Sequence, residues 1–371
     1  MKKKSIWDHF AVVPDPRVER TKKHKLQDIL VIAVCAVICG AEHWTHIEAF
    51  GKIHEAWFRT FLDLPNGIPS HDTLGRVFAA LDPDAFEAVL RAFVADLAAS
   101  REKHIAVDGK TLRGSFDPAS SRTPVHLVSA WGYEDHVVFG QLAVEAKSNE
   151  ITAIPELLKL LDLTGATVTI DAMGCQKEIA RQIVNQKGDY VLALKENQPE
   201  LYHDVQLYLE DALAHGFHGG HDFYETTEKG HGRLEIRRVW TCGDVAWLHT
   251  RHDWPALGSL TVVERKRHGN GQVESKRHYF ISSHSGHCAQ RLGTLIRNHW
   301  SVEAQLHWSL DVCFHEDACR VRIANAAENF SRLRRIALML LQQETTAQTG
   351  IAGKRLRAGW DQHYLLKVLR I

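Results

Sequence analysis

Two stretches of this chain share one form: a short run rich in apolar and β-branched residues, then an aspartate, then a small residue. The first is His104-Ile105-Ala106-Val107, closing on Asp108 and Gly109. The second is Ala166-Thr167-Val168-Thr169-Ile170, closing on Asp171 and Ala172. Such runs predict strands. Around them, residues 125–133 and 137–145 predict two more strands in a meander, and 190–194 a further one. Residues 150–161, 176–185 and 200–214 have helical spacing. Strands alternating with helices after a meander predict an α/β sheet covered by helices. A sheet of this kind places ligand chemistry at the carboxyl ends of its strands, where both aspartates are expected.

The flanking regions differ. Residues 1–100 predict a helical domain, with apolar positions at helical spacing in 26–39, 44–58 and 86–97. Ser70 can cap a helix over the following residues, with Asp72 in its first turn. Two helices joined through Pro65-Asn66-Gly67 could form a DNA-reading helix-turn-helix or an ordinary helical hairpin. Residues 101–220 hold the first part of the α/β core. Residues 221–285 turn β-rich, at 233–240, 260–266 and 278–282 with turns at Gly230 and Gly269-Asn270-Gly271, and predict an inserted β subdomain. Residues 286–345 are helical again, and 346–371 form a short basic tail.

Composition narrows the function classes. The longest apolar run, 29–41, is shorter than the roughly 20 residues of a membrane span and predicts a buried helix. The start Met1-Lys2-Lys3-Lys4 is basic but lacks the apolar run of a signal peptide. A cytoplasmic protein not associated with membrane is therefore expected. Seven cysteines without a CxxC pair predict reduced thiols. Lys+Arg and Asp+Glu are 45 each, which argues against a surface that binds nucleic acid all over. From Ala318 onward, however, ten Lys/Arg stand against three Asp/Glu, and Glu264-Arg265-Lys266-Arg267-His268 is also basic. Either stretch could hold DNA or be an ordinary solvated face.

An aspartate after a strand can simply cap the next turn. Two in matching contexts can instead hold Mg²⁺, which takes oxygen ligands and keeps substrate phosphates in its shell. Lys110, Arg113 and Lys177 follow the aspartates closely and could neutralise phosphates. A third element, residues 295–311, reads as one helix with His299, Glu303, His307 and Asp311 every four residues on one face, and Trp300 and Trp308 elsewhere. That face suggests an active-site wall. A zinc site on it is the weaker alternative, because the HExxH spacing is absent. Arg297 and His299, just before Glu303, are further candidates for DNA contact.

Several longer motifs resemble one family. They are Ile-Ala-Val-Asp-Gly-Lys-Thr-Leu-Arg-Gly-Ser at 105–115, Lys-Ser-Asn-Glu-Ile at 147–151, Asp-Ala-Met-Gly-Cys-Gln at 171–176, Gly-Asp-Tyr-Val-Leu-Ala-Leu-Lys-Glu-Asn-Gln at 188–198, and the run from Arg297 to Val312. Pro14-Asp15-Pro16-Arg17, His24-Lys25-Leu26, Asp28-Ile29-Leu30 and Gly40-Ala41-Glu42 resemble the helical domain preceding the core in the same proteins. These are the bacterial insertion-sequence DDE transposases that include the H-repeat-associated proteins. The resemblance implies an RNase H-like core interrupted by a β insertion. It also implies that Asp108, Asp171 and Glu303 bind two divalent ions, Mg²⁺ or Mn²⁺, to cleave DNA and join strands. The partners it implies are element ends and target DNA, met by a homo-oligomer on paired ends. The wider superfamily carries Tyr, Arg, Glu and Lys around the last acid. Here those places hold Ile296, His299, Glu303 and Leu310, so only the glutamate matches. A catalytically silent DNA-binding protein and a simple two-metal nuclease are the alternatives.

Overall fold

A computed structural model describes residues 4–98, 103–117, 123–144, 148–217, 220–230, 233–269 and 272–370. Met1–Lys3, the domain boundary expected near residue 100, Glu145, Lys147 and the turn residues Asn270 and Gly271 lie outside the described residues.

The N-terminal region is helical: α1 (Ile6–Phe10), α2 (Leu26–Ile38), α3 (Trp44–Ile53), α4 (Glu55–Phe58), α5 (His71–Ala80) and α6 (Pro83–Leu97). The long apolar run becomes α2, with almost every side chain buried. The Ser70 side chain accepts from the Thr73 N–H, as its position before an amphipathic run predicts. Pro14-Asp15-Pro16-Arg17 is a locked corner: the Arg17 guanidinium donates to both Asp15 carboxylate oxygens and to the His24 carbonyl. The helix-turn-helix expectation meets a different connection. Residues 59–70, twelve in all, separate α4 from α5, where a helix-turn-helix has a turn of about 3–4.

Among the described residues nine strands form one sheet: β1 (Lys103–Leu112), β2 (Val125–Gly132), β3 (Val137–Ala143), β4 (Ala166–Ile170), β5 (Asp189–Leu194), β6 (His221–Gly230), β7 (Arg233–Cys242), β8 (Ser259–Gly269) and β9 (Gln272–Ser282). Their order is β3-β2-β1-β4-β5-β9-β8-β7-β6. The first three strands are the expected antiparallel meander, and β1, β4 and β5 run parallel. The β-rich stretch is not a detached subdomain. It joins the core sheet, because β9 pairs antiparallel with β5 from Val191↔Ser282 to Leu194↔Tyr279.

Helices cover both faces. α7 (Glu150–Lys159), α8 (Lys177–Asn185) and α9 (Pro199–His215) bury one face against Ile105, Val107 and Val168. On the other face lie α10 (Ala289–His299), a π-helical segment (Val302–His307), α11 (Trp308–Phe314) and α12 (Ala326–Gln343). There Val302, Leu306 and α12 share a core with Ala106, Trp131 and the N-terminal helices.

The basic C-terminal stretch is not a free tail. Its α13 (Ile351–Trp360) and α14 (Gln362–Leu369) pack into the helical domain. Arg332, Arg334, Arg335, Lys354 and Arg355 are buried. Arg332 pairs with Glu87 and Glu328, Arg335 pairs with Glu316, and Arg355 donates to the Val37 carbonyl. Half the expected surface charge is thereby spent inside. Among the described residues no helix is long and apolar enough to cross a membrane. All seven cysteines are unpaired.

Candidate active site

Parallel pairing of β1 with β4 ends at Val107↔Ile170. Asp108 and Asp171 are therefore the next residues on two neighbouring strands, just past the last paired position. Only Asp171 stands at a strand end, as expected. β1 does not stop at Asp108 but continues to Leu112, because β2 remains paired with it as far as Leu112↔Val125. Strand alternation turns Asp108 to the Ala106 face, toward the π-helical segment.

The third element departs from one regular α-helix. It breaks after His299 and resumes as the π-helical segment before α11. In an α-helix a four-residue repeat drifts by about 40° at every step. A π turn, bonded i→i+5, holds more residues and takes back much of that drift. The predicted face accordingly meets the sheet along its length. His299 Nδ1 lies 3.0 Å from Thr169 Oγ1 on β4, and His307 Nδ1 lies 3.5 Å from Asp108 Oδ2. Asp311 takes Lys110 Nζ at 2.6 and 2.7 Å. Trp300 and Trp308 lie off that face, as expected, and are exposed to solvent.

Asp108, Asp171 and Glu303 line one pocket of about 240 Å³, together with Lys195, His278 and Trp300. Glu303 is exposed, while the aspartates are half-buried. Burial pushes the Asp108 carboxyl up to about 7, and the charges of Asp171, Glu303 and Glu150 add to the rise against a hydrogen bond from the Gly109 N–H. Asp171 is raised as well, by burial first and then by Glu150; the N–H groups of Gly174 and Met173 and the charge of Lys195 oppose this. Asp171 also caps the short 3₁₀ turn that follows it, using Oδ1 alone. Burial holds His307 down at about 3, with Arg335, Lys110 and His126 adding to the effect, so its imidazole is neutral and offers Asp108 no counter-charge. Among the described residues no three His, Cys, Asp or Glu side chains are gathered as a ready-made metal cage. The three acidic side chains of the pocket offer oxygen donors, a chemistry suited to Mg²⁺ or Mn²⁺ and unlike the Cys/His sets of structural zinc.

The cationic candidates separate. Lys110 is 7% exposed and held by Asp311 and Asp317, so it cannot reach a phosphate without abandoning two carboxylates. His299 is buried against Thr169 and pushed down to about 4 by that burial. Arg113 is open to solvent, 3.5 Å from Asp317. Lys177 is half-exposed and pairs with Asp253 at 2.6 Å. Arg297 pairs with Glu228 at the wall of a second groove. Lys110→Ala is expected to destabilise the protein by roughly 2 kcal/mol, between the ranges for exposed and buried pairs. The salt dependence of DNA binding should not change. A slope smaller by about 1 would identify a phosphate contact instead.

Two residues near the pocket carried no role in the sequence-based expectations: Lys195, which lines it, and Glu150, whose charge bears on both aspartates. Lys195 was findable, because β5 runs parallel to β4 and Lys195 follows it at the same edge. Glu150 sits inside one of the long motifs, but only the fold brings the start of α7 beside Asp108.

Comparison with known proteins agrees with this architecture. Residues 7–94 match the family described as DDE_Tnp_1-associated, and residues 99–340 match the Transposase DDE domain. The chain is 41% identical to the "H repeat-associated putative transposase YhhI" of Escherichia coli K12, over all of this chain and 98% of that protein. It is 40% identical to the "Putative transposase YncI" of Escherichia coli O157:H7, over 98% of this chain and 94% of that protein. It is 47% identical over 279 residues to an "Uncharacterized protein in dhlA 3'region" of Xanthobacter autotrophicus, covering 74% of this chain and 93% of that one. With one domain description covering most of the sheet and its helices, and relatives matched from end to end, the chain belongs to the DDE transposase family.

Proposed function

We propose that this protein is a metal-dependent transposase that cleaves DNA at the ends of an insertion sequence and joins them to a target, using Asp108, Asp171 and Glu303. The observation that carries the proposal is the pocket. Three carboxylates from three separate elements share it, and half-buried Asp108 faces the negative charges of Asp171, Glu303 and Glu150. A bound divalent ion would relieve that repulsion, and the hard oxygen donors suit Mg²⁺ or Mn²⁺. When bound, a pair of such ions supplies an activated water or 3′-hydroxyl and stabilises the leaving oxygen. The chain's own contribution is positioning. β1 and β4 fix the two aspartates side by side, and the π-helical segment fixes Glu303 opposite them.

The DNA-binding half of the proposal rests on the neighbouring groove of about 630 Å³. It shares His278, Phe280 and Trp300 with the pocket and is walled by Arg237, Arg265, Lys276 and Arg297. Cationic side chains beside the exposed Trp300 ring and the half-buried Phe280 ring suit a nucleic-acid strand entering the pocket. In this proposal β1–β5 are the RNase H-like core, and β6–β9 are an insertion added along its edge.

The test is Mg²⁺-dependent cleavage of DNA carrying the element's ends, comparing wild type with Asp108→Ala, Asp171→Ala and Glu303→Ala. Cleavage is expected from wild type and from none of the three, with folding and DNA binding retained. Binding without cutting by wild type would make this a silent DNA-binding protein. Cutting without joined product would make it a nuclease.

A further inference from the structure

From the packing around Gly109, we infer that Glu150 is a fourth carboxylate of the metal site, held in place by His126. The inference rests on the proposed function and adds a residue to its site.

Glu150 opens α7, on the sheet face opposite Glu303. Its partner is His126 of β2, whose Nε2 lies 2.6 Å from Glu150 Oε1. The other ring nitrogen, Nδ1, lies 2.8 Å from the Thr111 hydroxyl, and Thr111 and His126 are cross-strand partners on β1 and β2. An ionised carboxylate only accepts, so Nε2–H donates to Glu150 and, in the neutral ring, Nδ1 accepts from Thr111. Thr111 thus fixes the tautomer, His126 fixes the carboxylate, and two paired strands fix both. Among the described residues no hydrogen bond engages the second oxygen, Oε2.

The position is tightly determined. A Cβ at residue 109 would collide with Glu150 Oε1 and stand 2.8 Å from His126 Nε2. The Glu150–His126 pair therefore packs directly on the backbone next to Asp108, through a space that only glycine leaves open. Glu150 is also close enough for its charge to bear on both Asp108 and Asp171. A surface ion pair or a helix-start acid has no need of such a place. Beside two other carboxylates the charge of Glu150 is unfavourable, unless a cation is shared among them.

The experiment is Mn²⁺ uptake by the full-length, DNA-free protein, followed by calorimetry or by the paramagnetic resonance of the free ion. Thermal melts serve as the control for folding. Glu150→Gln is expected to weaken Mn²⁺ binding by about tenfold or more and to move the Mg²⁺ midpoint of end cleavage upward by a similar factor. His126→Asn removes the holding donor but keeps the carboxylate. It is expected to weaken uptake less, and it carries the test if Glu150→Gln does not fold. Mn²⁺ affinity within about twofold of wild type in Glu150→Gln, with Asp108→Asn losing uptake, would overturn the role of Glu150 and leave the three-carboxylate site standing. Absence of uptake by wild type itself would overturn both.

Discussion

Asp108→Asn should abolish Mg²⁺-dependent cleavage and, in metal-free buffer, raise the melting temperature. The two effects have one cause. Burial and the charges of Asp171, Glu303 and Glu150 hold the folded-state carboxyl at about 7, against an ordinary aspartate value of 3.8. Between about pH 4 and pH 7 the native state therefore binds more protons at this site than the unfolded chain does. Stability in metal-free buffer then falls as pH rises through that window, the reverse of the usual salt-bridged aspartate. Asparagine keeps the shape without the charge. The gain at pH 7–8 should be on the order of 1–3 kcal/mol, below the full equivalent of the shift because the pocket admits water. Adding Mg²⁺ should reverse the ranking. The ion stabilises wild type by mass action and has little to bind in the variant. Below about pH 7 protons compete for the same carboxylate, so ion affinity should drop by up to about tenfold per pH unit. Melting curves with and without Mg²⁺ at pH 6 and pH 8 check the sign. A metal-free variant that melts below wild type at pH 8 contradicts the picture of a pocket strained by its own charge. Surviving cleavage would remove Asp108 from the chemistry.

The elements that place the aspartates could be read from the sequence because their determinants are local. Two β-formers before Asp108 and four before Asp171, each run closed by the acid and a small residue, mark β1 and β4, and the four-residue repeat from His299 to Asp311 marks the face that meets them. What escaped depends on partners distant in the chain. The length of β1 beyond Asp108 is set by β2, not by its own residues. The break after His299 has no glycine or proline to announce it. Its sense emerges only when Thr169, Asp108 and Lys110 are seen in line beneath the segment. The β-rich stretch was visible as strands, but nothing in residues 221–285 says that β9 pairs with β5. Charge misled most. Lys110 and the C-terminal arginines look like phosphate contacts in a list of residues. In the fold they neutralise Asp311, Glu87 and Glu316, the last two on segments that a linear count of charges treats as separate.

That buried charge supports the second large expected effect: Glu316→Ala should cost about 3–5 kcal/mol, the range for leaving one partner of a buried pair alone. Glu316 and Arg335 are both wholly inaccessible, 3.1 Å apart, and Ser331 donates to the same Glu316 oxygen at 2.8 Å. Burial already pulls the Arg335 guanidinium below its ordinary range, with Glu316 as the main opposing charge. Without Glu316 the guanidinium must stay charged in the core or drag water in, and a fall of roughly 5 °C in melting temperature is expected. Glu316→Gln keeps an acceptor for Ser331 without the charge and should fall between wild type and alanine. The double change Glu316→Leu with Arg335→Met removes both charges and should recover most of the loss, because an apolar pair avoids the desolvation cost. The effect should also reach the pocket. Glu316 adjoins Asp317, which with Asp311 clamps Lys110 of β1 beneath α11. Loosening this corner should displace the π-helical segment, and Glu303 with it. Reduced cleavage by Glu316→Ala at temperatures where it remains folded, restored in the double variant, would show that α12 holds the third acid in register. A loss below about 1 kcal/mol in the single variant would mean that Arg335 finds another partner or water.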